Sequence, residues 1–281
     1  MRRHLFVCVI ATLISALTSS LHAQLRPLDP PQYDAFDGRD NFFVTAGAGF
    51  LTGQRAPLAG TRGDLDELGL YSIAWRSDRI LIRASGTAYM RMSNETQITP
   101  SHPAVVTPHA DAGPIILETT ARLSPDHTPL LWLLRFGSQL PVTSLRSGLE
   151  RDEADFFASL AVRSQGDLWI AAEAGTSING KPEPSVGQTD VVMFSAGIGY
   201  RGPAAPVFVD AWVTGRNDLH NGVALANEDQ SELRIGARTR GPLWIGAQWI
   251  HGLSDFSPTD GARVTAGFRT HLDHVPVLGW R

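Results

Sequence analysis

Two neighbouring runs decide the fold: LLWLLRFGSQL at residues 130–140 and EADFFASLAVR at residues 153–163. In the first run, every second residue from Leu130 to Phe136 is apolar, and in the second run the same holds from Phe156 to Val162. The intervening positions carry the polar and charged side chains, including Arg135. Successive side chains of a β-strand point to opposite faces, so this alternation predicts strands with one apolar face and one polar face.

The same alternation recurs along the rest of the chain, which has 281 residues. It predicts twelve strands, at 42–51, 67–76, 79–91, 114–123, 130–140, 153–163, 167–177, 190–201, 206–215, 230–240, 242–251 and 261–270. Short connections such as Ser77-Asp78 and Gly241 alternate with long ones such as 92–113 and 141–152. Strands of about 9–11 residues that are joined alternately by short turns and long loops are typical of outer-membrane barrels.

The two faces of the predicted strands differ completely in charge. The apolar face carries no charged residue in any strand, as expected where lipid is the solvent, because an Arg or Lys there costs about 2–4 kcal/mol at the bilayer midplane. The other face holds polar side chains: Arg83, Glu118, Arg122, Arg135, Asp155, Arg163, Glu173, Asp210, Glu232, Arg234, Arg238, Gln248, Arg263 and Arg269. We therefore predict an all-β fold, a transmembrane antiparallel up-and-down β-barrel of about twelve strands with short periplasmic turns and long external loops. A soluble β-sandwich is the alternative that would give similar alternation.

The chain divides into three predicted parts. Residues 1–23 have a charged start, an apolar stretch and a small-residue cleavage site, which predicts a secretory signal peptide. Residues 24–41 are rich in Pro and Asp and predict an extended periplasmic lead-in, and residues 42–281 form the barrel. The sequence leaves open whether the lead-in enters the lumen. The formal net charge of −4 argues against a nucleic-acid partner.

Several inward-facing charges fall at similar depth when residues are counted from the nearest short turn. The predicted lumen-lining and selectivity residues are Arg83, Glu118, Arg135, Glu173, Arg234 and Arg263. One interpretation is a constriction that favours anions, as rings of Arg do in pores. The other is a network of paired charges that satisfies buried polar groups and closes the lumen.

Catalytic and metal-binding patterns are weak. The Leu219-His220-Asn221-Gly222 stretch resembles the site of outer-membrane phospholipase A but lacks its serine. His271 and His274 have a metal-like spacing without a third ligand nearby. The acids of the predicted long loops are expected to be solvated: Asp64, Asp66, Glu67, Glu150, Asp152, Glu153, Glu228 and Asp229. We expect no catalytic residue, no metal and no cofactor.

The segment Leu134 to Thr143, which ends in Leu-Pro-Val-Thr before a loop and is followed by the strand at Asp155-Phe156-Phe157, resembles a known family. It is similar to the outer-membrane barrels of the MetA-pathway-of-phenol-degradation type, although Ser144 stands where that family usually has glycine. The resemblance implies a bacterial outer-membrane protein that passes small, often aromatic or apolar, compounds.

These observations together predict a porin-like barrel for passive or facilitated passage of small solutes, anionic or small organic, through an Arg-rich lumen. The expected partners are the lipid bilayer, lipopolysaccharide, the barrel-assembly machinery and the small-molecule solutes. A lipid-acting outer-membrane hydrolase and a plugged structural or adhesive barrel are the alternatives.

Overall fold

The computed structural model describes residues 27–101, 105, 109–126, 128–150, 154–179, 189–218 and 229–272. The strands are β1 (Phe42–Ala56), β2 (Thr61–Ser77), β3 (Ile80–Gln97), β4 (Ala110–Asp111), β5 (Ile115–Arg122), β6 (Leu130–Leu140), β7 (Asp155–Ser164), β8 (Leu168–Asn179), β9 (Thr189–Tyr200), β10 (Val207–Asp218), β11 (Gln230–Thr239), β12 (Leu243–Gly252) and β13 (Asp260–Thr270). Within these described ranges, two 3₁₀ helices lie at Tyr33–Phe36 and Leu145–Ser147. Among the described residues, no helix is long and apolar enough to cross a membrane.

Twelve of the strands form one closed antiparallel barrel. Each barrel strand pairs with its neighbours along the chain, and β1 closes the sheet by pairing with β13 from Phe42↔Thr270 to Thr52↔Asp260. The two-residue strand β4 pairs with β3, within the connection to β5. Closure leaves no unpaired strand edge within the barrel, so every barrel strand has hydrogen-bonding partners on both sides. The predicted barrel of about twelve strands is confirmed.

The strand positions match the prediction closely except in β1, β2 and β3. These three strands run past the predicted ends on the long-loop side, and β1 joins β2 through the short connection at 57–60. Asp64 and Asp66 therefore lie in β2 rather than in a loop, and Glu67, at the edge of the predicted strand, lies well inside β2. The alternation of faces also shifts in β3, because Ala88 and Tyr89 are both exposed. Met90, on the apolar parity of the sequence pattern, is therefore turned inward and buried.

The outward face of the barrel is apolar over most of its height, as the alternation predicts, and it carries the exposed ion pair of Asp66 and Arg91 toward the long-loop ends of β2 and β3. Leu243 is 71% exposed, Ile245 63%, Ile170 62% and Leu160 46%. Side chains of this size would be covered in a protein whose exterior is water, and an apolar belt on a closed barrel fits a lipid environment. Of the aromatic residues near the strand ends, Trp132 and Tyr200 point outward, whereas Trp169 and Phe157 are buried.

The described part of the segment before β1 differs from the extended lead-in expected for residues 24–41. Residues 33–36 form a 3₁₀ helix, and Tyr33, Ala35 and Phe36 are buried. These side chains pack against inward-facing residues of the barrel, including Leu131, Trp169 and Trp212. The apolar residues of this Pro- and Asp-rich segment are therefore removed from water inside the lumen, and residues 27–37 are called the lumen segment below. The predicted signal peptide at 1–23 lies outside the described residues.

Candidate functional site in the lumen

The interior of the barrel is layered from the short turns to the long loops. On the short-turn side, apolar residues of the wall surround Tyr33 and Phe36. On the long-loop side, a second apolar cluster brings Leu149 and Val105 of the loops against Leu51, Leu65 and Ile250 of the wall. Two groups of buried charged side chains of the wall are described next, followed by the arginines that bind the lumen segment.

The central network joins side chains from β3, β5, β6 and β8. The Oε2 atom of Glu118 accepts hydrogen bonds from Arg83 Nη2 at 2.8 Å, Arg135 Nε at 2.9 Å and Arg135 Nη2 at 2.7 Å. The Nη1 atom of Arg135 donates to Glu173 Oε1 at 3.1 Å. Ser159 and Ser195 of β7 and β9 donate to the two oxygens of Glu173. Charged hydrogen bonds of this kind satisfy groups that would be costly to bury alone.

A second charged group lies on the other side of the barrel, on β2, β11 and β13. Arg234 donates to Glu232 Oε2 at 2.9 Å, and Arg263 donates to Glu67 Oε2 at 2.8 Å and to Glu67 Oε1 at 2.7 Å. Asp29 of the lumen segment accepts from Arg234 Nη1 at 2.6 Å and lies 3.5 Å from Arg263 Nη1. The lumen segment therefore contributes a carboxylate to two of the predicted lumen arginines.

The lumen segment is also held by aromatic packing. The ring of Tyr33 stacks on Trp212 of β10 with centroids 5.9 Å apart and an interplanar angle of 9°. Trp212 contacts Trp169 of β8 at 5.3 Å between centroids. The guanidinium carbon of Arg163 lies 5.5 Å from the Tyr33 ring centroid. Burial, and next the negative charge of Glu173, raise the pKa of the Tyr33 hydroxyl above its ordinary value.

Glycines opposite the tryptophans make room for this packing. Trp212 pairs across the sheet with Gly197, and Trp169 pairs with Gly199. A Cβ atom on Gly197 would lie 2.3 Å from Trp212, and one on Gly199 would lie 2.2 Å from Trp169. Because the indoles lie over bare backbone, they cover the neighbouring glycines of the wall instead of meeting another side chain there.

Two carboxylates of the lumen segment bind three arginines of the barrel. Asp34 accepts from Arg163 Nη1 at 2.9 Å, contacts Arg238, and lies 3.7 Å from Arg201 Nη1. Asp37 forms ion pairs with Arg163 and Arg201. The side chain of Arg163 is only 1% exposed. An arginine buried to this extent requires an anionic partner, and here the lumen segment supplies it.

A cavity of about 360 Å³ borders the lumen segment. Pro27, Asp29 and Gln32 form one side of the cavity, and Glu67, Asp210, Arg238 and Arg263 also line it. The remaining wall mixes hydroxyl and amide groups with apolar side chains, which include Leu70, Met90, Ile116 and Trp244. A space with this mixed lining suits a small solute that has both a polar and an apolar part.

The structure divides the six predicted lumen residues into the two charged groups. Arg83, Glu118, Arg135 and Glu173 are in direct contact within the central network, and Arg234 and Arg263 belong to the second group. Arg135 and Arg234 are each 1% exposed and Arg83 is 6% exposed. This pairing and burial match the alternative of a paired network more closely than a ring of free arginines facing water.

Other predicted candidates are dispersed or lie outside the described residues. His220, His274, Asp152, Glu153 and Glu228 are not among the described residues, and His271 contacts the carbonyl oxygen of Arg39 at 2.7 Å. The described residues contain no group of three or more metal-binding side chains. Glu67 and Glu150, expected to be solvated, are 3% exposed and turned inward.

Sequence reasoning missed the lumen segment as part of the site. Its signal was present in QYDAFDG at residues 32–38, where aromatic residues and aspartates alternate just before the first strand. A segment that stays in water gains nothing from the large apolar side chains of Tyr33 and Phe36, so their presence next to Asp34 and Asp37 indicates that the segment packs against another surface. The arginines that receive it come from strands far away in sequence, and local pattern does not connect them.

Comparisons with known proteins agree on the fold. No family model matches the chain, and no curated protein matches it. The crystal structure of the COG4313 outer membrane channel from Pseudomonas putida F1 is similar with a TM-score of 0.61 at 9% identity, over 86% of this chain and 100% of that chain. The NanC porin is similar with a TM-score of 0.51 at 7% identity, over 81% of this chain and 100% of that chain. The predicted resemblance to outer-membrane barrels is thus confirmed at the level of the fold, which this chain shares with these channels.

Proposed function

We propose that this protein is a bacterial outer-membrane channel for small solutes, with a lumen that the lumen segment narrows. The observation that supports this most is that an acidic segment before β1 lies in an arginine-lined interior and borders a cavity with a mixed polar and apolar lining. The exposed apolar belt supports placement in a lipid bilayer. The structural relatives are described as an outer membrane channel and a porin, and this agrees with the proposal.

We further propose that the lumen prefers anions when the lumen segment withdraws. Withdrawal takes Asp29, Asp34 and Asp37 away from five arginines, Arg163, Arg201, Arg234, Arg238 and Arg263. The carboxylates of Glu67 and Glu232 stay on the wall, so the remaining balance near the segment's position is positive. Cationic linings favour anion passage. The central network around Arg135 keeps its wall-borne partners and holds the shape of the lumen.

The test is single-channel current through the refolded mature protein in a planar bilayer under a salt gradient. We expect rare or small current steps from the wild type. A variant that lacks residues 27–37 should give larger steps and a reversal potential shifted toward anions. Protein that inserts correctly but stays silent in both forms would refute the channel and favour the plugged structural barrel, which the filled interior supports as second candidate.

A further inference from the structure

The short-turn end of the lumen combines an aromatic surface with a cluster of arginines. Trp169 and Trp212 form the aromatic surface, and Arg163, Arg201 and Arg238 form the cluster. These five barrel side chains are called the mouth chamber. All the charges in the set are positive, and the lumen segment fills the space between them with Tyr33, Asp34 and Asp37.

The lumen segment supplies the carboxylates that neutralise the buried positive charge of Arg163. Within the described part of the chain, its ion-pair partners are Asp34 and Asp37. Arg163 also lies against aromatic rings, 5.5 Å from the Tyr33 centroid and 5.9 Å from the Trp169 centroid. A guanidinium with so little access to water needs a replacement anion whenever the segment leaves. A planar carboxylate suits it best, because two guanidinium nitrogens can each donate to one oxygen.

The aromatic surface is shaped to hold one flat ring, which is the ring of Tyr33 in this structure. The Tyr33 ring lies almost parallel to Trp212, at an angle of 9°, and is 3% exposed. Parallel packing at this distance is a favourable arrangement for two aromatic rings. When Tyr33 leaves, Trp212 loses its stacked partner and a flat apolar slot opens next to Arg163. The slot and the cluster are adjacent because Tyr33 and Asp34 are adjacent in the chain.

We propose that the mouth chamber binds small solutes that carry an aromatic ring and a carboxylate, and that Tyr33 and Asp34 occupy this site as an internal competitor. The inference rests on the proposed channel function, since a solute must reach the lumen to bind there. It assigns the ring to the Trp212 face and the carboxylate to Arg163 and Arg238. A tethered competitor acts at an effective concentration of the order of millimolar. Solutes therefore bind weakly while the lumen segment is present.

The experiment measures the affinity for benzoate by isothermal titration calorimetry of the refolded protein in detergent. The released variant carries Tyr33→Ala, Asp34→Asn and Asp37→Asn. We expect it to bind benzoate at least tenfold more tightly than the wild type, and to lose this gain when Arg163→Gln is added. Acetate and benzyl alcohol, each with half of the recognised chemistry, should bind at least tenfold more weakly than benzoate. Asp66→Asn, which removes an acid from the exposed pair with Arg91, is the matched control and should behave as wild type.

Three results would overturn the proposal. Equal benzoate affinity in the wild type and the released variant would show that the lumen segment does not compete. If benzyl alcohol binds as tightly as benzoate, the carboxylate is not recognised and the chamber is only an apolar slot. If acetate binds as tightly as benzoate, the ring is not recognised and the chamber is only a general anion site. Should the released variant fail to refold, the wild type still gives an answer: benzoate must displace Tyr33, so the tyrosine ionises near its ordinary pKa of about 10, and benzyl alcohol must not have this effect.

Single-channel current from the same samples separates this proposal from the channel itself. Current without benzoate binding overturns the mouth chamber and leaves the channel. Benzoate binding to a barrel that stays silent overturns the channel and leaves the binding site.

Discussion

Replacing Glu118 with glutamine tests whether the central network is a set of paired charges that stabilises the barrel or an open filter, that is, a constriction that selects anions. All three arginine hydrogen bonds reach the Oε2 atom of Glu118, and Oε1 has no hydrogen-bond partner among the described residues. The amide oxygen of glutamine can therefore take the Oε2 position, with its NH₂ group where Oε1 lies. The substitution keeps the shape of the side chain and removes the charge.

The loss of stability follows from the burial of the partners. The side chain of Glu118 is 0% exposed and that of Arg83 is 7% exposed, and within the described structure Glu118 is the ion-pair partner of Arg83. Arg135 keeps Glu173 at 3.1 Å. Removing one member of a buried ion pair costs about 3–5 kcal/mol. Since the amide oxygen still accepts hydrogen bonds, we expect Glu118→Gln to lower the free energy of unfolding by about 3 kcal/mol, at the lower end of that range.

The assay is urea unfolding of the refolded protein in lipid vesicles, followed by tryptophan fluorescence and by heat-modifiable electrophoretic mobility. Asp66→Asn serves as the control, because the Arg91 side chain of this pair is 57% exposed and such pairs contribute less than about 1 kcal/mol. Two results together would refute the paired network and favour the open filter. The free energy of unfolding of Glu118→Gln would lie within about 1 kcal/mol of the wild-type value, and its reversal potential would shift strongly toward anions.

Three further predictions concern the lumen segment and the outer face. Asp34→Asn with Asp37→Asn should raise the open fraction in single-channel records at least tenfold, because charged hydrogen bonds contribute about 1.5–3 kcal/mol each and 1.4 kcal/mol is a factor of ten; an unchanged open fraction would contradict this. The difference in 295 nm absorbance between the wild type and Tyr33→Phe should show no ionisation near pH 10, since the pKa of Tyr33 is raised. The segment should loosen only as the pH rises further, because folding favours the neutral phenol, and a normal titration would place Tyr33 in water. Leu160→Arg on the outward face should lower the free energy of unfolding, measured in lipid vesicles, by about 2–4 kcal/mol. Gln165→Arg in a short turn is the control and should change it by less than about 0.5 kcal/mol.

Most of the barrel was predictable from the sequence because the periodicity of a strand is a local property. The alternation in residues 130–140 and 153–163, repeated ten more times, was enough to predict the strands, their inward and outward faces and the short turns. Where the prediction was wrong, a local irregularity was responsible. In β3 the alternation shifts at Ala88 and Tyr89, opposite the positive φ of 66° at Gly69 in β2, and this turns Met90 inward. Closure of the barrel places Glu67 of β2 against Arg263 of β13, which lies 196 residues away in the chain.

Outside the shifted part of β3, the sequence alone predicted which side chains face the lumen, because parity in a strand leaves only two choices. Only the tertiary structure decided which of these side chains meet. Closure of the barrel brings Arg83, Glu118, Arg135 and Glu173 together from four strands, and the segment before β1 turns inward to neutralise Arg163 and Arg238. The physical reason is that pairing of charges depends on distances across the lumen. Those distances are set by the curvature of the whole sheet and not by the spacing of residues along any strand.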